Sequence, residues 1–413
     1  MTAGLRLVPP PIQISDAPPP SFNHLARLSD DTGLLEHARN AIVRREHGYC
    51  VDDVGRGLVV TSRETRPTPQ VVGLAERYLA FLTHAQAPGG TFHNRMSYDR
   101  RWTDEPGLGD WWGRALWGLG TAAARSTVPW IRREASLAFR SGARQRSPWP
   151  RAMAYAGLGA AEILRADFRA FADLRGSAAD LRGSAADLRG SAVDFRGSAV
   201  DFRGSAADLR GTPDLRGTAA DLRGAAADLL RDAAAAVGVP GADPAWVWPE
   251  RTLTYANPTV AEVVIAAGDL LGDEPLLRTG LRMLAWLCRE QDHDGHLCAV
   301  PVGGWRPDAP KHRFDQQPIE AAATADACAT AAATTGDDRW EEPLFRAIAW
   351  FLGDNDTQTV MYDPLTGGCY DGLTANGPNL NQGAESTLAL VSTLQHARTM
   401  ATRSATRPSG GLA

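Results

Sequence analysis

Apolar stretches of helical period alternate along this chain with loops rich in Trp, Tyr and Asp, and each such loop runs straight into the next apolar stretch. Six junctions of this kind fall at residues 49–53, 98–112, 147–150, 253–257, 314–320 and 379–385. Apolar residues recurring at three- and four-residue spacing predict helices over 34–46, 53–64, 70–86, 110–125, 129–144, 150–165, 225–237, 258–271, 274–290, 318–335, 338–353 and 382–401. The connections alternate in length. Those at 87–109, 238–257, 291–317 and 355–381 are long, whereas those near 66–69, 126–128, 272–273 and 336–337 are tight. In successive antiparallel helix pairs, this alternation puts the short turns on one rim and the long loops on the other. The even-numbered helices are rich in small apolar residues around their whole circumference, as at 115–124, 152–161, 260–267 and 321–333. Such helices are buried, while those with a polar face lie outside. The fold class predicted is all-α, an (α/α)6 toroid of about twelve helices in six hairpins, with inner and outer rings.

One segment breaks this rhythm. From 172 to 226 the chain repeats the heptad Asp-Leu-Arg-Gly-Ser-Ala-Ala, varied to Asp-Phe-Arg-Gly-Ser-Ala-Val. Each unit is too short for a helix–turn–helix repeat. As a helix it would carry a Gly in every unit, at about 1 kcal/mol each relative to Ala. It reads as a tandem expansion inserted before residue 225 with no catalytic role, or alternatively as a coiled-coil or partner-binding arm. The expected organisation is a flexible Pro-rich start at 1–21, a toroid domain at 22–401 interrupted by the 172–226 insert, and a flexible tail at 402–413.

Composition removes several function classes. A net charge of −5 provides no basic footprint for nucleic acid, and arginine almost wholly replaces lysine, Lys311 being the sole example. The five cysteines are scattered without a CxxC, which argues against a disulfide framework or zinc ribbon. No run of about 18 apolar residues suggests a membrane span, and 1–21 lacks the apolar core of a signal peptide. The chain therefore reads as cytoplasmic, with no metal or cofactor expected. No GxSxG elbow or Walker motif occurs, and no glycine cluster makes a dinucleotide fingerprint. The run from Asp292 through His293, Asp294 and Gly295 to His296 could suggest metal ligands, but an Asp-Gly turn in a short hairpin accounts for it.

Glycoside hydrolysis needs two carboxyl groups flanking the scissile bond, aromatic faces for sugar rings and polar groups for hydroxyls. The junction loops supply all three. Asp53, Asp315, Glu320 and Glu385 are the candidate catalytic carboxylates, and Asp104 is a further one. Candidate substrate-binding residues are Tyr49, Asp52, Asp99, Trp102, Asp104, Trp112, Gln316, Gln317, Tyr370, Asn381 and Gln382. Trp111, Trp149, Trp246, Trp248 and Trp305 are further candidate platforms, while Trp117, Trp286, Trp340 and Trp350 read as core. Each acid also has a structural reading. Asp53, Asp110 and Asp315 could be helix caps or first-turn acids favoured by the dipole. The adjacent acids Asp52 and Asp53 need different partners. A carboxylate at Glu320 or Glu385, inside an inner helix, needs either a partner such as Arg114 or a wet cavity.

The motifs His47-Gly48-Tyr49-Cys50-Val51-Asp52-Asp53, Asn94-Arg95-Met96-Ser97-Tyr98-Asp99, Phe314-Asp315-Gln316-Gln317-Pro318 and Asn381-Gln382-Gly383-Ala384-Glu385-Ser386 resemble those of an uncharacterised bacterial group. That group is similar to the six-hairpin glycosidase-like superfamily and is often labelled glycosyltransferase. The resemblance covers residues 22–398 outside the heptad insert. It implies a glycan-binding cleft at the N-terminal ends of the inner helices and, for many members, inverting hydrolysis by paired acids. It also implies an oligosaccharide or glycoconjugate ligand and a glycosyltransferase partner. The reading favoured is a glycoside hydrolase with Glu385 or Glu320 as acid and Asp53 as base. Tyr49, Trp102, Trp112 and Tyr370 would hold the sugar. The alternatives are a sugar epimerase or lyase using the same cleft, and a non-catalytic glycan-binding protein associated with a glycosyltransferase.

Overall fold

The computed structural model describes residues 12–166 and 215–406. Its helices are α1 (Asn23–Leu28), α2 (Val51–Ser62), α3 (Pro69–Ala85), α4 (Asp110–Arg125), α5 (Pro129–Gly142), α6 (Pro150–Arg165), α7 (Leu215–Val237), α8 (Asn257–Leu270), α9 (Glu274–Glu290), α10 (Pro318–Thr335), α11 (Glu341–Leu352) and α12 (Ala384–Thr406). The even-numbered helices pack in sequence, and α12 returns to α2, closing a ring. Outside it, α3 packs on α2, α5 on α4, α7 on α6, α9 on α8 and α11 on α10. The sixth outer place is taken by the short α1 against α12. The fold is an all-α (α/α)6 toroid.

Composition explains the layering. Inner helices such as α8 and α10 are buried along nearly their whole length in Ala, Val and Ile, whereas α9 buries one stripe around Met283, Leu284 and Leu287. Glycine permits the closest approach. A Cβ on Gly55 of α2 would stand 2.6 Å from the Arg114 carbonyl oxygen, and one on Gly118 of α4 would stand 2.5 Å from that of Gly55.

Several expectations give way. The segment 34–46 is not helical. It forms the two-residue strands Ala38–Arg39 and Ile42–Val43, paired antiparallel, followed by a 3-10 turn at Arg45–His47. Asn40 takes a left-handed φ of 49° that breaks helical continuity, and Ile42 lies 76% exposed. Within the start expected to be flexible, Ile14 and Ala17 pack against the core. Helix α12 runs to Thr406, past the expected boundary at 401. The insert lies outside the described residues up to 214, and its last units belong to α7, which starts at Leu215 rather than 225. There Leu222 is buried, and the Arg223 guanidinium donates to the Ile163 and Ala166 carbonyls at the end of α6. The Asp-Gly hairpin is present, with Asp292–His293 paired to His296–Leu297 and Asp294 and Gly295 at positive φ.

Candidate active site

All six inner helices direct side chains from their first two turns toward one rim. Helix N-termini carry partial positive charge and favour carboxylates there. From α2 come Asp52, Asp53 and Arg56; from α4, Asp110 and Arg114; from α6, Arg151; from α8, Asn257; from α10, Glu320; and from α12, Glu385. These groups interlock through arginines. Arg56 donates to Asp53 at 2.7 Å and lies 2.9 Å from Glu385. Arg114 donates to Asp52 at 2.7 Å and approaches Asp110 at 3.9 Å. Tyr255 donates its hydroxyl to Asp110 at 2.6 Å. Arg151 donates to both oxygens of Glu250, to the Tyr255 carbonyl and to Asn257. Two guanidiniums also lie over aromatic faces, Arg114 over Tyr155 at 4.8 Å and Arg151 over Tyr255 at 4.9 Å.

The carboxylates sit in unlike surroundings. Burial pushes the Glu320 carboxyl up to about 7, against the Ala256 N–H and the Arg151 charge, while the Glu385 charge adds to the rise. One Glu320 oxygen accepts from the Ala256 N–H, and the other is buried without a partner. Ala256 is itself held at φ 47°, ψ 38° at the start of α8. A left-handed conformation is uncommon for a non-glycine residue, and such strain tends to cluster at functional sites. Burial likewise raises Asp53 to about 7, despite Arg56 and with help from the Glu385 and Glu36 charges. Asp52 goes the other way. Burial opposes its charge, but Arg114 and Arg56 outweigh burial and hold its carboxyl below the usual range. Glu385 is the most accessible of these acids, with its side chain 39% exposed. A cavity of about 30 Å³ is lined by Arg56, Trp117, Tyr155, Glu262, Asp326 and Glu385. That volume accommodates about two water molecules.

The other sequence-predicted residues divide by location. Tyr49 is buried in the core, donating to Asp30 at 2.6 Å, and Trp112 is fully buried, so neither offers a face to a sugar. Trp102 is half-buried and stacks on His93 at 4.8 Å. Asp104 spends its two oxygens on the Asn94 and Arg95 N–H groups. Asp99 sits in an exposed turn, accepting from Ser97 and pairing with Arg101. Gln316 donates to Asp356 and the Arg313 carbonyl and accepts from the Trp350 indole. Gln382 is similarly committed to Asp363 and Thr366, and the Asn381 side-chain amide oxygen accepts from the Asn40 N–H. Asp315 is exposed at the loop end, Gln317 occupies the N-cap position of α10 without a side-chain capping bond, and Tyr370 packs half-buried against the core. Asp53 and Glu385 thus meet at Arg56, Asp52 pairs with Arg114, and the Glu385 charge acts on Glu320, whereas Asp315 lies exposed at the loop end.

Sequence reasoning missed Arg56, Arg151, Asp110 and Tyr255 as members of the site. Arg56 could have been found as the i+3 partner of Asp53 on one helix. The other contacts join distant segments. Trp149, at the N-cap of α6, is 62% exposed, and Tyr255 is 42% exposed; both lie at the rim beside Arg151.

The architecture is shared with solved carbohydrate-active enzymes. The chain is similar to a sugar epimerase from a ruminal bacterium (TM-score 0.58, 12% identity, covering 91% of this chain and 95% of that one). It is also similar to the cellobiose 2-epimerase of Spirochaeta thermophila (TM-score 0.57, 13% identity, 91% and 93% covered). A third similar structure is the GH76 α-mannanase of Bacteroides thetaiotaomicron (TM-score 0.50, 9% identity, 86% and 88% covered). At 9–13% identity these three structures share the toroidal fold of this chain. No protein-family model and no curated protein matches the sequence. Among the described residues, no helix is long and apolar enough to cross a membrane.

Proposed function

We propose that this protein is a carbohydrate-active enzyme, a glycoside hydrolase acting on an oligosaccharide or glycoconjugate at the N-terminal rim of the inner helices. The observation that carries this reading is Glu320. It has a buried, unpartnered carboxyl oxygen, a pKa raised to about 7, and the Glu385 charge close enough to contribute to that rise. An acid that keeps its proton near neutrality, facing a second carboxylate paired with Arg56, is the division of labour glycoside hydrolysis requires. In this scheme Glu320 protonates the leaving glycosidic oxygen. Glu385 acts on the opposite side, as base or nucleophile, and Arg56 orients it. Asp53, paired with Arg56 at 2.7 Å, becomes a positioning residue rather than the base. Trp149 and Tyr255 offer aromatic faces to neighbouring sugar rings. The toroid at 22–401 is the catalytic unit. The reading places it in the cytoplasm, in keeping with five free cysteines.

A sugar epimerase in the same cleft is the second reading, favoured by the likeness to two epimerase folds. It would also have a histidine to draw on, since His396 meets Asp326, in the lining of the cavity that Glu385 also lines, at 2.7 Å. The test is product analysis on a panel of α- and β-linked oligosaccharides, with Glu320→Gln and Glu385→Gln as controls. Released sugar that disappears in both variants supports hydrolysis, and an isomerised reducing end supports epimerisation. Saccharide binding without any product would point to a non-catalytic partner of a glycosyltransferase.

A further inference from the structure

Two of the five free cysteines meet across a helix pair. Cys288, in the last turn of the outer helix α9, and Cys328, midway along the inner helix α10, stand with their sulfurs 3.8 Å apart. The other three thiols are engaged elsewhere. Cys50 contacts Asp52 and Asn94, Cys298 receives the Gln316 amide, and Cys369 faces the Tyr370 carbonyl. Cys328 is fully buried, whereas Cys288 is half-buried.

We propose that Cys288 and Cys328 form a reversible disulfide when the protein meets a peroxide, making this pair a modification site that ties α9 to α10. A disulfide needs about 2.05 Å between sulfurs, so side-chain rotation has to close the remaining gap. The asymmetry of the two thiols sets the order of events. Cys288 is half-buried whereas Cys328 is fully buried, so Cys288 is the sulfur a peroxide reaches first. Its thiolate takes one oxygen from hydrogen peroxide, becoming a sulfenic acid, and the other oxygen leaves as water. The Cys328 sulfur then displaces hydroxide from Cys288, the S–S bond forms, and a second water is released. Overall the two thiols give up two electrons and two protons to one peroxide.

The cross-link would span 40 positions of chain. The loop it closes contains the 291–317 rim segment and the first turn of α10, which carries Glu320. A loop of that size lowers unfolded-state entropy enough to raise the melting temperature by about 4 °C. The inference does not depend on which reaction the rim performs.

The test treats the full chain with hydrogen peroxide, blocks remaining thiols and maps linked peptides, alongside thiol titration in denaturant. The expected result is a Cys288–Cys328 linked peptide and the loss of two of the five titratable thiols. Melting should rise by about 4 °C and return after dithiothreitol, and Cys288→Ser should lose neither a thiol nor gain stability at the same dose. Oxidation of Cys288 to sulfinic acid with Cys328 left free, or a linkage between other cysteines, would overturn the proposal. Because mapping of the unmutated chain decides the question alone, a poorly folding variant would not obscure it.

Discussion

Replacing Glu320 with glutamine isolates the central electrostatic claim. The side chain is 2% exposed, and its pKa stands at about 7 instead of the ordinary 4.5. A carboxyl whose pKa is raised by folding binds more protons in the native state. Its contribution to stability is therefore complete below about pH 4.5 and is lost as the pH rises through 7. The full displacement corresponds to about 3 kcal/mol, of which about 2.5 kcal/mol falls between pH 5 and pH 8. Glutamine keeps an oxygen for the Ala256 N–H and cannot ionise. Any cost of its amide at the unpartnered position is the same at every pH and cancels from the comparison. At about 2 cal/mol/K of unfolding entropy per residue, the Tm difference between Glu320→Gln and the unmutated protein should grow by about 3 °C from pH 5 to pH 8, in favour of the variant. Differential scanning calorimetry across that range is the assay. Parallel Tm–pH curves would mean that Glu320 does not titrate near neutrality, and would remove the physical basis for assigning it as the acid.

Further consequences can be measured on the same protein. Arg56→Met should cost about 3–5 kcal/mol, because it leaves Asp53 and Glu385 without their shared cation; denaturant unfolding would read this as a lower midpoint with an unchanged m-value. Gly118→Ala should destabilise by about 1–3 kcal/mol by forcing a methyl group against the Gly55 carbonyl, and an unchanged melting temperature would contradict the close packing of α2 on α4. Trp149→Ala should leave melting within about 1 °C while weakening saccharide binding several-fold, as expected for an exposed ring whose stacking is lost; calorimetric titration would check it. If the hydrolase reading holds, kcat/KM should fall as the pH rises through about 7, where Glu320 loses its proton.

The toroid was legible in the sequence because its inner helices are rich in small apolar residues, as buried helices are, and because short and long connections alternate. The failures have local causes. Over 34–46, Leu34, Leu35 and Ala38 are indeed buried, so the spacing mimics a helix face. That segment is instead pinned by pairing of Leu35 with Tyr49 and by the left-handed Asn40. The tryptophans show why position within a helix start matters. Trp149, at an N-cap, projects outward, whereas Trp112, two residues into α4, turns into the core and is 0% exposed. In α7, the last repeat units read from their period as an insert outside the toroid. Arg223 nevertheless satisfies carbonyls at the end of α6, a tertiary role that composition does not reveal.

The carboxylates of the site were readable at the junctions of loops with inner helices, but their roles were not, because the arginines that separate them arrive from elsewhere. Asp52 and Asp53 are neighbours in sequence and equally close to a helix N-terminus. Asp52 meets Arg114, 62 positions away, and is driven below the usual range, while Asp53 must share Arg56 with Glu385 and rises to about 7. Breaking such buried pairs is costly, yet replacing them whole by apolar groups can be neutral, so folding alone gives little reason to concentrate them at one rim. On the proposed hydrolase reading, neighbouring carboxyls in different protonation states are what acid–base catalysis would use. That places the informative comparison between Asp52→Asn and Asp53→Asn. If Arg56 and Arg114 divide the two acids as described, Asp53→Asn should flatten part of the stability decline between pH 5 and pH 8, because Asp53 is the member that titrates there. Asp52→Asn, which removes the one ion-pair partner that Arg114 holds at hydrogen-bond distance among the described residues, should destabilise at every pH in that window. Indistinguishable pH profiles for the two variants would refute the division.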